Sequence, residues 1–73
     1  MGQKPSVGRV VIFKGEDSNG AEEHPAIITR VWNDDCVNLT VLFDAKTPES
    51  RTSVQIEGVA PQGATNWSWP ARV

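Results

Sequence analysis

The sequence predicts an all-β domain on three observations: several segments of strand-forming residues, clusters of turn residues between them, and no sustained helical period in 73 residues. The segments are Arg9 to Lys14, Pro25 to Trp32, Val37 to Phe43 and Arg51 to Glu57, each rich in Val, Ile, Thr or aromatic side chains. Gly15 to Gly20, Asn33 to Asp35 and Asp44 to Glu49 divide them with Gly, Asn, Asp, Ser and Pro, which turn a chain. A short fifth strand is expected around Trp67 to Trp69.

Period-2 alternation assigns the faces. In the third segment Val37, Leu39, Val41 and Phe43 share one side and Asn38, Thr40, Leu42 and Asp44 the other, so the first set is core. In the second segment Ala26, Ile28, Arg30 and Trp32 alternate with Ile27, Thr29 and Val31. Apolar residues on both sides place this strand centrally. Val54 and Ile56 extend the core into the fourth strand. A flat sheet of so few strands would leave an apolar face uncovered, whereas a barrel closes on itself. A small SH3-like five-stranded barrel fits best. Its large first loop would run from Gly15 to His24, a tight link would span Asn33 to Cys36, and Gly58 to Asn66 would lead to the last strand. An OB-like barrel is the competitor, weakened by the missing helix and the short length. The whole chain, 1–73, reads as one domain with residues 1–6 as a flexible N-terminal arm.

A chain of this length buries only roughly 60% of its unfolded surface, so small domains often lean on disulfides, metals or association. Cys36 is the single cysteine and His24 the single histidine, which leaves neither a disulfide nor a four-ligand zinc set. Homo-oligomerisation, or docking on a larger body, stays open. The apolar runs are too short to span a bilayer and the N-terminus lacks an apolar signal core, so a non-exported protein with no membrane partner is expected. Net charge is −2 and the seven Lys and Arg residues are scattered, which disfavours a dedicated phosphate-backbone binder.

No residues form a convincing catalytic or cofactor set. His24 and Cys36 lack an orienting third group, the glycines form no phosphate loop, and Glu16, Asp17, Glu22 and Glu23 lack the spacing of a calcium loop. No enzyme activity, no cofactor and no metal are therefore expected. The unusual feature is Trp67-Ser68-Trp69-Pro70, two large rings on one face of an extended segment. They either close the barrel or form an exposed aromatic platform. Trp32, Trp67 and Trp69 are the candidate protein-binding anchors, with Arg30 and Arg51 as polar partners at the rim. Alternatively, the same rings stack on bases while Arg9, Arg30 and Arg51 meet phosphates.

Val7-Gly8-Arg9-Val10-Val11, His24-Pro25 through Trp32, Val37 through Asp44 and the closing Trp67-Ser68-Trp69-Pro70 together resemble small proteins of tailed bacteriophages and prophages, over roughly Pro5 to Arg72. The resemblance implies a viral, phage-encoded β-barrel found in the bacterial host cytoplasm or the virion. Its partner would be a phage structural protein, as in capsid decoration or a connector, or a host protein that it inhibits. It supplies no catalytic residues. Pro25-Ala26-Ile27-Ile28 more loosely resembles the second strand of MazF-type endoribonuclease toxins, themselves SH3-like barrels. This chain is shorter, lacks their C-terminal helix and has His24 where an arginine commonly precedes the proline, which weighs against ribonuclease activity.

Overall fold

The computed structural model describes residues 3–71; Met1 and Gly2 of the expected arm, and Arg72 and Val73, lie outside the described residues. Five strands, β1 (Val10–Ser18), β2 (Ala21–Val31), β3 (Cys36–Val41), β4 (Glu49–Ile56) and β5 (Asn66–Ser68), close into a barrel in chain order. This is the all-β, SH3-like layout the sequence predicts. An odd number of strands cannot close with every neighbour antiparallel. The parallel pair is β4 with β5, where Gln55 meets Asn66 and Ile56 meets Trp67. The connection after Ile56 must then double back to the level of Gln55 before the chain can run alongside the end of β4 in the same direction. It does so through turns in which Val59 and Ala60 N–H donate to the Ile56 carbonyl and Ala64 N–H donates to Pro61.

The core follows the period-2 pattern. Val11 and Phe13 of β1, Ala26 and Ile28 of β2, Val37, Leu39 and Val41 of β3, Phe43, Val54 of β4 and Trp67 of β5 are all buried. His24 lies among them, opposite Phe13 and edge-on to Phe43 at 4.7 Å, with Nε2 2.5 Å from the Glu16 carbonyl oxygen. Its polar tip is thus satisfied by backbone, which lets an imidazole occupy an apolar interior. Before β1, Pro5 is buried, Gly8 N–H donates to the Ile28 carbonyl and Ile28 N–H donates to that of Arg9.

Two features differ from the sequence reading. The expected first loop, Gly15 to His24, is a hairpin instead: β1 continues to Ser18 and β2 starts at Ala21, so only Asn19 and Gly20 turn. Both have positive φ (52° and 82°), the type I′ geometry that matches strand twist and that Asn-Gly adopts readily. Second, three irregularities bend the strands. Between the pairs Lys14 with Glu23 and Ser18 with Ala21, three residues of β1 face one of β2, and this bulge is where Gly15 takes φ 115°. In β2 the pairing steps from Ile28–Leu39 to Arg30–Asn38, leaving Thr29 as an extra residue. In β4, Thr52 and Ser53 together oppose Asn38, and Ser53 adopts φ 53°.

The bulge at Thr29 changes which residues face out. Alternation alone puts Arg30 and Trp32 on the same side as Ile28. With one residue inserted, Val31 instead packs against the core, while Arg30 and Trp32 stand on the outside.

Candidate binding surface

The three tryptophans have three different environments. Trp67 lies in β5 between Phe13 of β1 and Ile56 of β4, and this register points its ring into the barrel, where it is 0% exposed. Its Nε1–H donates to the Asp35 carbonyl at 3.0 Å, and Ile56 N–H donates to the same oxygen. The ring therefore closes the barrel and ties β5 to the β2–β3 turn. Trp69 shares that face, is half-buried, and packs edge-on to Trp67 at 5.2 Å with the Arg9 guanidinium 4.9 Å from its ring centroid. Trp32, after the end of β2, is 50% exposed.

Trp32 is exposed but not loose. Its Nε1–H donates to Asn38 Oδ1 at 2.9 Å, and the same oxygen accepts Ser53 N–H of the β4 bulge at 2.8 Å. One carboxamide thus holds the indole and satisfies the extra backbone donor of the bulge. The Arg30 guanidinium lies over the indole, 4.0 Å from the ring centroid, a cation–π arrangement that orients the cation. Trp32 N–H donates to the Cys36 carbonyl, and Asn33 Oδ1 accepts Asp35 N–H and Cys36 N–H, so a side-chain turn at Asn33 fixes the hairpin beneath. The turn former is thus Asn33, with Asp35 serving through its carbonyl.

Arg51 occupies a different place. Its Nε and Nη2 donate to both oxygens of Glu16 at 2.6 and 2.7 Å, Nη2 also meets Glu49 at 3.0 Å, and Nη1 donates to the Ser50 carbonyl. Lys46 pairs with Glu49 at 2.9 Å, and both cations lie over Phe43. The network caps the Phe43 end of the core, and Arg51 is committed within the chain. Of the sequence-selected set, the fold brings Arg30 and Trp32 together, turns Trp67 inward, leaves Trp69 half-covered beside Arg9, and ties Arg51 to Glu16 and Glu49.

This network has a pH signature. Hydrogen bonding from Arg51 holds the Glu16 carboxyl below its ordinary range; Lys46 first, and then Arg51, do the same for Glu49; and the Arg51 guanidinium is held more firmly protonated. A carboxylate depressed in the folded state contributes stability above its unfolded pKa, lost as pH falls through the folded one. Thermal stability is expected to decline as pH drops below about 4.3, and the decline in Arg51→Gln to be shallower. Thermal unfolding of both proteins across acid pH checks this. Parallel slopes would mean the cluster is screened into irrelevance.

The acidic residues of the hairpin do not converge. Asp17, Glu22 and Glu23 line an open depression with Lys14 and Gly15, Lys14 pairs with Glu23 at 3.7 Å and Glu57 at 3.5 Å, and Glu16 faces Arg51 instead. Among the described residues no group of three or more His, Cys, Asp or Glu is placed to hold a metal ion. Sequence reasoning missed an apolar stripe on the outer face of β1 to β3: Val10 (49% exposed), Ile27 (36%), Leu42 (38%), Pro25 and the half-buried Ile12. Val10 pairs with Ile27, Ile12 with Pro25, and Leu42 N–H donates to the Pro25 carbonyl, so the five are neighbours. The alternation in the second segment carried the signal, since Ile27 falls opposite Ala26 and Ile28.

The fold and these surfaces define a small closed five-stranded β-barrel with an aromatic–cation pair on its outside. No protein-family model matches the chain, and no curated protein or solved structure matches it.

Proposed function

We propose that this chain is a non-enzymatic binding module, a small phage protein that docks on another protein through the surface around Trp32 and Arg30. The observation that carries the reading is the exposed Trp32 ring, fixed by Asn38 and covered on one side by the Arg30 guanidinium. A rigid, half-exposed tryptophan beside an arginine loses little conformational freedom on binding and supplies the residue types that dominate interface energetics. The phage setting rests on the sequence resemblance closing in Trp67-Ser68-Trp69-Pro70, with a virion component and a host-directed inhibitor as the two roles.

The nucleic-acid alternative would use the same pair to stack on a base. It is disfavoured because the net charge is −2 and Arg51, one of the three arginines that would meet phosphates, is engaged by Glu16 and Glu49, while Lys46 and Lys14 are also engaged by carboxylates. A salt titration against single-stranded DNA and RNA separates the two, with no measurable affinity expected even at low salt.

The direct test compares partner recovery from infected cells by the wild type, Trp32→Ala and Arg30→Ala. Both variants are expected to remain folded and to lose at least about tenfold in partner affinity, as removal of a central aromatic or arginine anchor does. Undiminished recovery by folded Trp32→Ala would sink the proposal. Abundance of the protein in purified virions would then choose between the two roles.

A further inference from the structure

The outer face of β2 carries opposite charges at the two ends of its apolar stretch. Along the strand it presents Glu23, then Pro25 and Ile27, then Thr29 and Arg30. Glu23 has 64% of its side chain exposed, and its one ion pair among the described residues is the 3.7 Å contact with Lys14. Arg30 has no carboxylate partner among the described residues, its guanidinium resting on Trp32. Between them, Ile12 and Val10 flank the stripe on β1, and Leu42 and Thr40 flank it beside β3.

We propose that this face binds a second copy of the chain, packing β1 to β3 against the same strands of its partner so that Glu23 of each copy meets Arg30 of the other. Two faces related by a two-fold axis in the contact plane can be arranged in two ways. An axis along β2 would set Glu23 against Glu23 and Arg30 against Arg30. An axis crossing β2 at right angles near Ala26 reverses the strand direction between copies. It sets each Glu23 against an Arg30 and lays Pro25 over the second copy's Ile27 and Ile12 over its Val10. The charge pattern therefore selects the antiparallel arrangement and forms two ion pairs per dimer, as an isologous contact requires.

The size of the face sets the strength. Three strands about 4.8 Å apart and seven residues rising about 3.3 Å each outline on the order of 300 Å² in projection. That is well below the about 800 Å² of accessible surface that a standard specific interface buries per partner, so the contact is a weak one. Association is thus dilution-sensitive. It covers apolar residues that a 73-residue chain with one cysteine otherwise leaves in water. The inference shares Arg30 with the docking surface proposed above but needs neither Trp32 nor another protein, so either can fail alone: Trp32→Ala is expected to keep the dimer while losing the partner.

The test uses charge reversal. Sedimentation velocity of the wild type from low-micromolar to near-millimolar protein is expected to show a monomer–dimer equilibrium. Glu23→Arg and Arg30→Glu are each expected to raise the dimer Kd on the order of tenfold, because each converts two attractive pairs per dimer into repulsive ones. The double reversal is expected to return it to within about threefold of the wild type. Mixing the two single variants gives a sharper result: one copy then carries arginine at both positions and the other glutamate at both, so heterodimers are expected where neither variant self-associates. Circular dichroism of each variant shows that it is folded. A wild type that stays monomeric throughout overturns the inference, as does a mixture no more associated than its components. A dimer indifferent to both reversals also overturns it, because it would form through another face.

Discussion

Gly15→Ala is expected to destabilise the barrel by about 2–5 kcal/mol, the sum of backbone strain at positive φ and a forced overlap in a packed seam. Gly15 sits in the β1 bulge with φ 115°, a conformation that side chains with a Cβ rarely adopt. Added there, a Cβ would lie 2.7 Å from Thr65 Cα and 2.9 Å from Thr65 Cγ2. The first of these is backbone, so no rotamer change relieves it. Thr65 leads into β5, whose pairing with β1 runs from Lys14–Asn66 to Ile12–Ser68, so displacing it pulls on the strand that closes the barrel. For a chain of this length, total stability is on the order of 4–11 kcal/mol, and the substitution removes a large share of it. Urea unfolding of Gly15→Ala against Gly20→Ala separates the two causes. Gly20 also has positive φ (82°), but a Cβ there meets nothing within 4 Å, so only the backbone cost of about 1 kcal/mol is expected. Equal losses at the two positions would mean the Thr65 approach carries no energy.

A different bulge, the one at Thr29 in β2, shows where sequence reading stops. Val37, Leu39, Val41 and Phe43 are legible as core from alternation alone, and all four are buried. Alternation fails at Arg30 and Trp32 because a bulge is a relation between two strands: nothing in Thr29 itself marks it as the extra residue opposite β3. The hairpin turn is a different kind of miss. Asn19-Gly20 is a strong local signal for a two-residue turn, and the surrounding Gly, Glu, Asp and Ser residues mask it as a polar loop. The place of Arg51 could not be read at all, because its partner Glu16 lies 35 residues away and is swung toward it by the β1 bulge. Likewise, residue type does not distinguish the tryptophans. Trp67 is buried and Trp32 exposed because β5 registers against Phe13 and Ile56, whereas Trp32 follows a strand whose parity has already shifted.

That difference makes the tryptophans separable by experiment, and Trp67→Ala is expected to have the largest effect of any single substitution in the chain. Emptying a buried tryptophan site costs about 3–5 kcal/mol in transfer and cavity terms. The Asp35 carbonyl loses its indole donor and keeps Ile56 N–H, while Trp69 loses the ring it packs against. A loss of this size takes a large share of the roughly 4–11 kcal/mol available, read as a lowered urea midpoint and a lowered thermal transition followed by far-ultraviolet dichroism. Trp67→Phe retains a ring without the N–H and is expected to fold with reduced stability, which keeps the assignment testable where the alanine variant yields no soluble protein. A Trp67→Ala protein as stable as the wild type would contradict the placement of β5 between β1 and β4. Lost partner binding in any variant of Trp67 therefore measures the barrel, not a contact. Trp32→Ala removes an exposed ring outside the core and is the variant whose binding phenotype can be attributed to the surface.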